Sequence, residues 1–184
     1  MAREAGVTID LAIYGGAALS MEYNMRDSTR DVDAVVRGNP TFVRNASKTI
    51  ADEMGWTDSW LNDGVKGFLS SKDTTSLRAF KDFEQISDSS GGLRIYTPTP
   101  EYIFAMKCMA MRSQSDGGTS DYSDIEKLAE ILDIKSPQEA IDIVESFYPA
   151  SMITPKTLFG VQEIMERILA NTTHNNPAPG MGAE

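Results

Sequence analysis

Two aspartates one residue apart, Asp31 and Asp33 in "TRDVDAVV", follow a glycine pair, Gly15-Gly16, with the short stretch "AALSMEYNM" between them. On an extended strand, side chains alternate between faces. The two carboxylates therefore project together, while Val32 and Ala34 face the other layer. Like charges so placed repel unless a cation lies between them. Mg²⁺ takes hard oxygen ligands and binds through a couple of carboxylates together with substrate phosphates. The glycine pair serves the same chemistry, because it closes one strand and opens a helix. Glycine lets the backbone approach a phosphate, and a helix N-terminus offers it unpaired N–H groups. Turn and carboxylates together make half of a metal–nucleotide site. Either feature alone is ordinary, since Gly-Gly punctuates many strands and Asp-x-Asp is frequent on solvated strand edges. The signal lies in their joint placement, strand–turn–helix–strand.

Other chemistries are poorly supplied. The single histidine, His174, lies in "NTTHNNPAPGMGAE", a tail whose composition predicts disorder. A histidine triad or a His-ligated zinc site is not expected. Cys108 is the only cysteine, which excludes an intrachain disulfide, and it shares a helical face with Phe104 and Met111. Carboxylates and lysines must then carry any reaction. Lys107 interrupts the apolar run "PEYIFAMKCMAMR", so it must snorkel, pair with an acid or meet a phosphate. Arg112 follows about 140° further round the helix, so the two need not share a target. In "DYSDIEKLAEIL", Asp121 lies over Ile125, Leu128 and Leu132 and points to the core, whereas Asp124 sits about 60° off, toward the flank. A competing explanation makes Asp121 an N-cap.

The elements that must position these residues are readable in outline. "VTIDLAIY" (7–14) reads as a buried strand, "AALSMEYNM" as a short helix and "RDVDAVV" (30–36) as a second strand. Asn39-Pro40 open a helix to about Met54, with Val43, Ala46, Ile50 and Met54 inward and Gly55 as C-cap. "GVKGFL" and "SLRAFKDFEQI" suggest short strands, and "LRIYTPTP" an edge strand because two prolines end it. From Pro100 the pattern is helical. "PEYIFAMKCMAMR" is apolar almost all round, and "SPQEAIDIVESFY" opens with a capping box. "PKTLFGVQEIMERILAN" has Leu158, Val161, Met165 and Ile168 as its inner stripe. The expected class is α/β (α+β), a small mixed sheet with flanking helices followed by a helical half. Its expected parts are an α/β core over 1–99, a helical region over 100–170 that completes the site, and a disordered tail over 171–184.

Composition narrows the function. At 184 residues and 41% apolar, the chain can bury a core of ordinary domain size. Its 27 acids and 17 bases give a net charge of −10, which repels polyanions on average, so broad nucleic-acid binding would need a local basic patch. No charged-then-apolar leader follows Met1, and no apolar run approaches a membrane span, so a soluble cytoplasmic protein is expected, with no membrane partner.

"GGAALSMEYNMRDSTRDVDAVV" resembles the signature of the nucleotidyltransferase superfamily, in which Gly-Gly leads to Asp-hydrophobic-Asp. It is most similar to bacterial minimal nucleotidyltransferases related to the abortive-infection toxins of type IV toxin–antitoxin systems. Arg26, Thr29, Arg30, Asp31 and Asp33 match the run those relatives carry. Lys107 with Arg112 matches their later Lys-x-x-x-x-Arg, and Asp121, Asp124 and Ile125 match their Asp-x-x-Asp-hydrophobic motif. The resemblance covers roughly residues 7 to 132, although Ser120 stands where relatives often have a basic residue. It implies a metal-dependent transfer of NMP from an NTP to an acceptor hydroxyl. Asp31 and Asp33 would hold Mg²⁺ or Mn²⁺, and Lys107 and Asp121 would join them in catalysis. Gly15, Gly16, Arg26, Arg30, Arg112 and Asp124 would bind nucleotide. A third sheet carboxylate is expected in many members, and Asp82 or Glu84 would be the candidates. The implied acceptor is tRNA or protein, and the implied partner a cognate antitoxin. The alternatives are a catalytically degenerate nucleotide- or partner-binding module and a purely structural helical interaction protein.

Overall fold

The computed structural model describes residues 1–25, 29, 31–83, 91–112 and 119–175, the side chains of 119, 120 and 172–175 excepted. The chain divides at Thr99 and Pro100 into two compact units. In the first, β1 (Thr8–Ile13), β2 (Val32–Arg37), β3 (Leu61–Asn62), β4 (Leu77–Ala79) and β5 (Gly92–Pro98) form one sheet in the order β3-β2-β1-β5-β4. The sheet is mixed: β1 runs antiparallel to β2 and parallel to β5, β2 is parallel to β3, and β4 is antiparallel to β5. Ile9, Ala12 and Ile13 of the central strand are buried with Ile95 of β5 and with Ala17, Ala18 and Leu19 of α1 (Gly15–Tyr23). Asp10 and Arg94 are register partners on β1 and β5 and form an ion pair, with Arg94 Nη2 2.9 Å from Asp10 Oδ2. The expected mixed α/β class is what the chain adopts.

Three sequence expectations for this unit change. β5 is an interior strand, not an edge. Its prolines fall where the ladder runs out: Pro98 is its last residue, opposite Leu77, and the Thr99 N–H beyond it donates to the Ser76 carbonyl at 2.9 Å. Proline ended the strand without exposing its side. "GVKGFL" forms a 3₁₀ turn (Gly64–Phe68), not a strand, and the described residues of "SLRAFKDFEQI" contribute the three residues of β4. The two edges, β3 and β4, are accordingly very short, which limits pairing with other chains. In α2 (Pro40–Met54), Asn39 accepts the Phe42 N–H at 3.0 Å and Gly55 closes the helix in the left-handed region. Ala51 is the residue it buries completely, whereas Met54, expected inward, is 58% exposed. The chain turns at Gly55, and the Met54 side chain is left in water at the end of the helix.

The second unit is helical: α3 (Pro100–Ala110), α4 (Thr119–Ile131), α5 (Pro137–Phe147) and α6 (Pro155–Asn175). α3 packs on the other three helices and buries Tyr102 to Met106 without a break, and Cys108 after them. Its all-round apolarity reflects that central position. At α5, Ser136 accepts the Glu139 N–H, while the Glu139 carboxylate reaches back to the Lys135 N–H at 2.7 Å. α6 buries Thr157, Val161, Ile164 and Met165, but Leu158 of the expected stripe is partly exposed. Since α6 continues to Asn175, residues 171–175 of the expected disordered tail are helical, and 176–184 lie outside the described residues. Among the described residues, no helix is long and apolar enough to cross a membrane.

Candidate functional site

β1 delivers the glycine pair directly into a helix. Tyr14 is extended and caps α1 without a side-chain hydrogen bond, and no acid occupies the first turn. Gly15 has φ +58°, a left-handed conformation that favours glycine. It also lies against the carboxylate of Asp33. A methyl group at Gly15 would stand 2.5 Å from Asp33 Oδ2, inside any tolerable contact. The Tyr14 N–H donates to the Asp33 carbonyl at 2.8 Å, which locks turn and strand together.

The turn is also held from behind. The Tyr14 hydroxyl, fully buried, donates to Asp73 Oδ1 at 2.7 Å, and Arg37 Nη2 donates to Asp73 Oδ2 at 2.9 Å. Asp73 is itself buried, so the charge-assisted pair with Arg37 satisfies it. At the other end of α1, Glu22 accepts from Arg78 Nη2 at 3.3 Å and from the Thr97 hydroxyl, tying the helix to β4 and β5.

Asp31 and Asp33 flank Val32 at the start of β2, and Asn62 of β3 adjoins both. Asn62 is the register partner of Asp33, and its Nδ2 donates to Asp31 Oδ2 at 3.3 Å. Its Oδ1 accepts the Gly64 N–H at 2.9 Å, which fixes the amide's orientation. Among the described residues, no third carboxylate joins the pair. Asp82 is an exposed turn residue after β4, at the opposite edge of the sheet, and Glu84 lies outside the described residues. The neighbour in register is an amide. Arg26 and Arg30 also lie outside the described residues. Among the described residues, no group of three or more His, Cys, Asp or Glu could hold a metal. Two carboxylates nonetheless suit Mg²⁺, which completes its shell with water and substrate phosphate.

The remaining predicted residues gather inside the helical unit. Lys107 Nζ lies 2.8 Å from Asp124 Oδ2 and 3.4 Å from Asp121 Oδ1, and Arg112 Nε lies 3.3 Å from Asp121 Oδ2. Of the three fates open to Lys107, pairing with acids is the one observed. Arg112 nonetheless shares the Asp121 target; α3 ends at Ala110, so Arg112 is no longer on its wheel. Asp124 is not on a flank: it is 3% exposed and Asp121 6%. Both turn inward because Lys107 draws them. α4 begins at Thr119, so Asp121 stands inside the first turn and is not the cap. Burial pushes the Cys108 thiol far above its ordinary range, which keeps it neutral and unreactive.

Sequence reasoning missed Asn62, Asp73 and the role of Tyr14. Each works through a contact between residues far apart in the chain, and no local spacing announces such contacts. Compared with known proteins, the chain matches no family model, no curated protein and no solved structure.

Proposed function

We propose that the chain is a metal-dependent nucleotidyltransferase that moves NMP from an NTP to an acceptor hydroxyl. The observation that carries this reading is the packing of the Gly15 α-carbon against the Asp33 carboxylate, with Asp31 bound to Asn62 beside it. The backbone at Gly15 and Gly16 would take the triphosphate at the mouth of α1. Mg²⁺ or Mn²⁺ held by Asp31 and Asp33 would offset the phosphate charge and polarise the α-phosphoryl group. The acceptor oxygen attacks the α-phosphorus, the bond to the bridging oxygen breaks, and pyrophosphate leaves with its electron pair. The acceptor proton passes to a carboxylate or to water. The resemblance adds the physiological setting: a cytoplasmic toxin acting on tRNA or protein, with a cognate antitoxin.

The amide at Asn62, where a further acid would complete the set, favours a second reading, a module that binds nucleotide without turning it over. Pyrophosphate release separates the two. The full chain is incubated with Mg²⁺ and each NTP in the presence of RNA and of protein, and the products are read by mass spectrometry. Adduct and pyrophosphate should form in the parent, vanish with chelator, and vanish in Asp31→Asn and Asp33→Asn at unchanged or raised Tm, because each change relieves like-charge repulsion. Unfolding of either variant, or parental turnover in both, would overturn the metal-site reading.

A further inference from the structure

Beside Asp31, on the side of β2 that faces β3, a cavity of about 500 Å³ opens to solvent; Asp31, Val32, Trp56, Thr57 and Trp60 are among its lining residues. Its size lies within the range of small-molecule sites. The two indoles meet edge to face, with ring centroids 5.3 Å apart. Trp60 is fixed: its Nε1 donates to the Ser47 carbonyl at 3.0 Å, and its own carbonyl accepts the Val32 N–H at 2.6 Å. Trp56 is anchored by its backbone, whose N–H donates to Ala51 at 2.9 Å, yet half of its surface is in water. A large aromatic ring set against a fixed neighbour and left wet beside a carboxylate suits a flat ligand.

The order across the sheet says which ligand. The glycine turn ends β1, the aspartates start β2, and Trp60 leads into β3, so the carboxylates stand between turn and tryptophans. In a phosphoryl transfer the attacking and leaving oxygens are roughly in line, on opposite sides of phosphorus. If triphosphate lies at the glycine turn, the indole side belongs to the attacking group. Resting on the transferase reading above, we propose that this cavity receives the unpaired terminal nucleobase of an acceptor nucleic-acid strand, stacked on Trp56. Base–aromatic stacking supplies binding without reading a particular base, so it is tolerant of sequence.

The two tryptophans of the cavity are the only two in the chain, so fluorescence excited selectively at tryptophan reports on this site. The full chain is titrated with a short single-stranded oligoadenylate bearing a free 3′-hydroxyl, and affinity is checked by anisotropy of the labelled strand. Saturable quenching is expected. Trp56→Ala should weaken binding about tenfold or more, within the range for loss of one stacked base, while Trp56→Phe stays near the parent and Mg²⁺–ATP affinity is unchanged in both. Equal oligonucleotide affinity in Trp56→Ala and parent would overturn the proposal, as would equal quenching by ribose 5-phosphate, which has no base. Trp56-dependent binding of Mg²⁺–ATP alone would overturn it too, by giving the cavity to the NTP, and preferential quenching by a tyrosine-bearing peptide would move the site to protein acceptors. The two readings fail separately. Trp56-dependent strand binding without NTP turnover keeps the nucleobase site and removes the transferase, and turnover without Trp56 dependence does the reverse.

Discussion

At Gly15 two costs fall on one α-carbon: the left-handed backbone and the approach of Asp33 Oδ2 to 2.5 Å of a would-be methyl. The first costs a side chain about 1–2 kcal/mol, and the second adds a clash that must move the carboxylate or the turn. Gly15→Ala should therefore destabilise the chain by more than ~2 kcal/mol in urea unfolding. In an Asp33→Ala background the same change should cost only the backbone part. Additive effects of the two changes would show that they do not meet. At this scale the sequence was informative where periodicity governs. Alternation alone put Asp31 and Asp33 on one face. It was silent on Asn62, because the amide reaches Asp31 from a strand of two residues, too short to carry any pattern.

Among the elements, α3 and α4 share a buried electrostatic centre. Lys107 is 13% exposed between two acids that are nearly inaccessible, and removing it takes a buried cation from both carboxylates, with Arg112 still at Asp121. Lys107→Met should therefore cost on the order of 3 kcal/mol by thermal or chemical unfolding. Adding Asp121→Asn and Asp124→Asn should recover most of it, because neutral amides need no countercharge. A stable Lys107→Met single variant would mean that the charges are solvated. Helices were legible throughout, since caps such as Asn39-Pro40 and Ser136-Pro137 are local signals. The sheet was legible in class but not in order. Two prolines mark the end of β5 and say nothing of whether β4 will lie beside it. The inner face of α4 was half right: a bare apolar projection omits the pull of a lysine on the neighbouring helix.

For the whole molecule, the net charge of −10 decides how a nucleic acid could be held. Lys48, next to the Ser47 on which Trp60 is anchored, is already engaged: it pairs with Asp52 and Asp58. A strand bound there would release few counterions. Its affinity should fall by less than about tenfold between 50 and 200 mM salt, against roughly 10³–10⁵ for a protein that neutralises many phosphates. A steep salt dependence, measured by anisotropy, would place the contacts on a basic surface elsewhere. The sheet's connectivity has a temporal side as well. Thr8 and Gly92 are neighbours on β1 and β5, with β2, α2, β3 and β4 all inserted between them in sequence. During synthesis β1 can pair with β2 early, but its other edge waits for most of the first unit to be made. That late closure of a long loop sets the pace of assembly, and until it occurs the central strand of the sheet behaves as an edge.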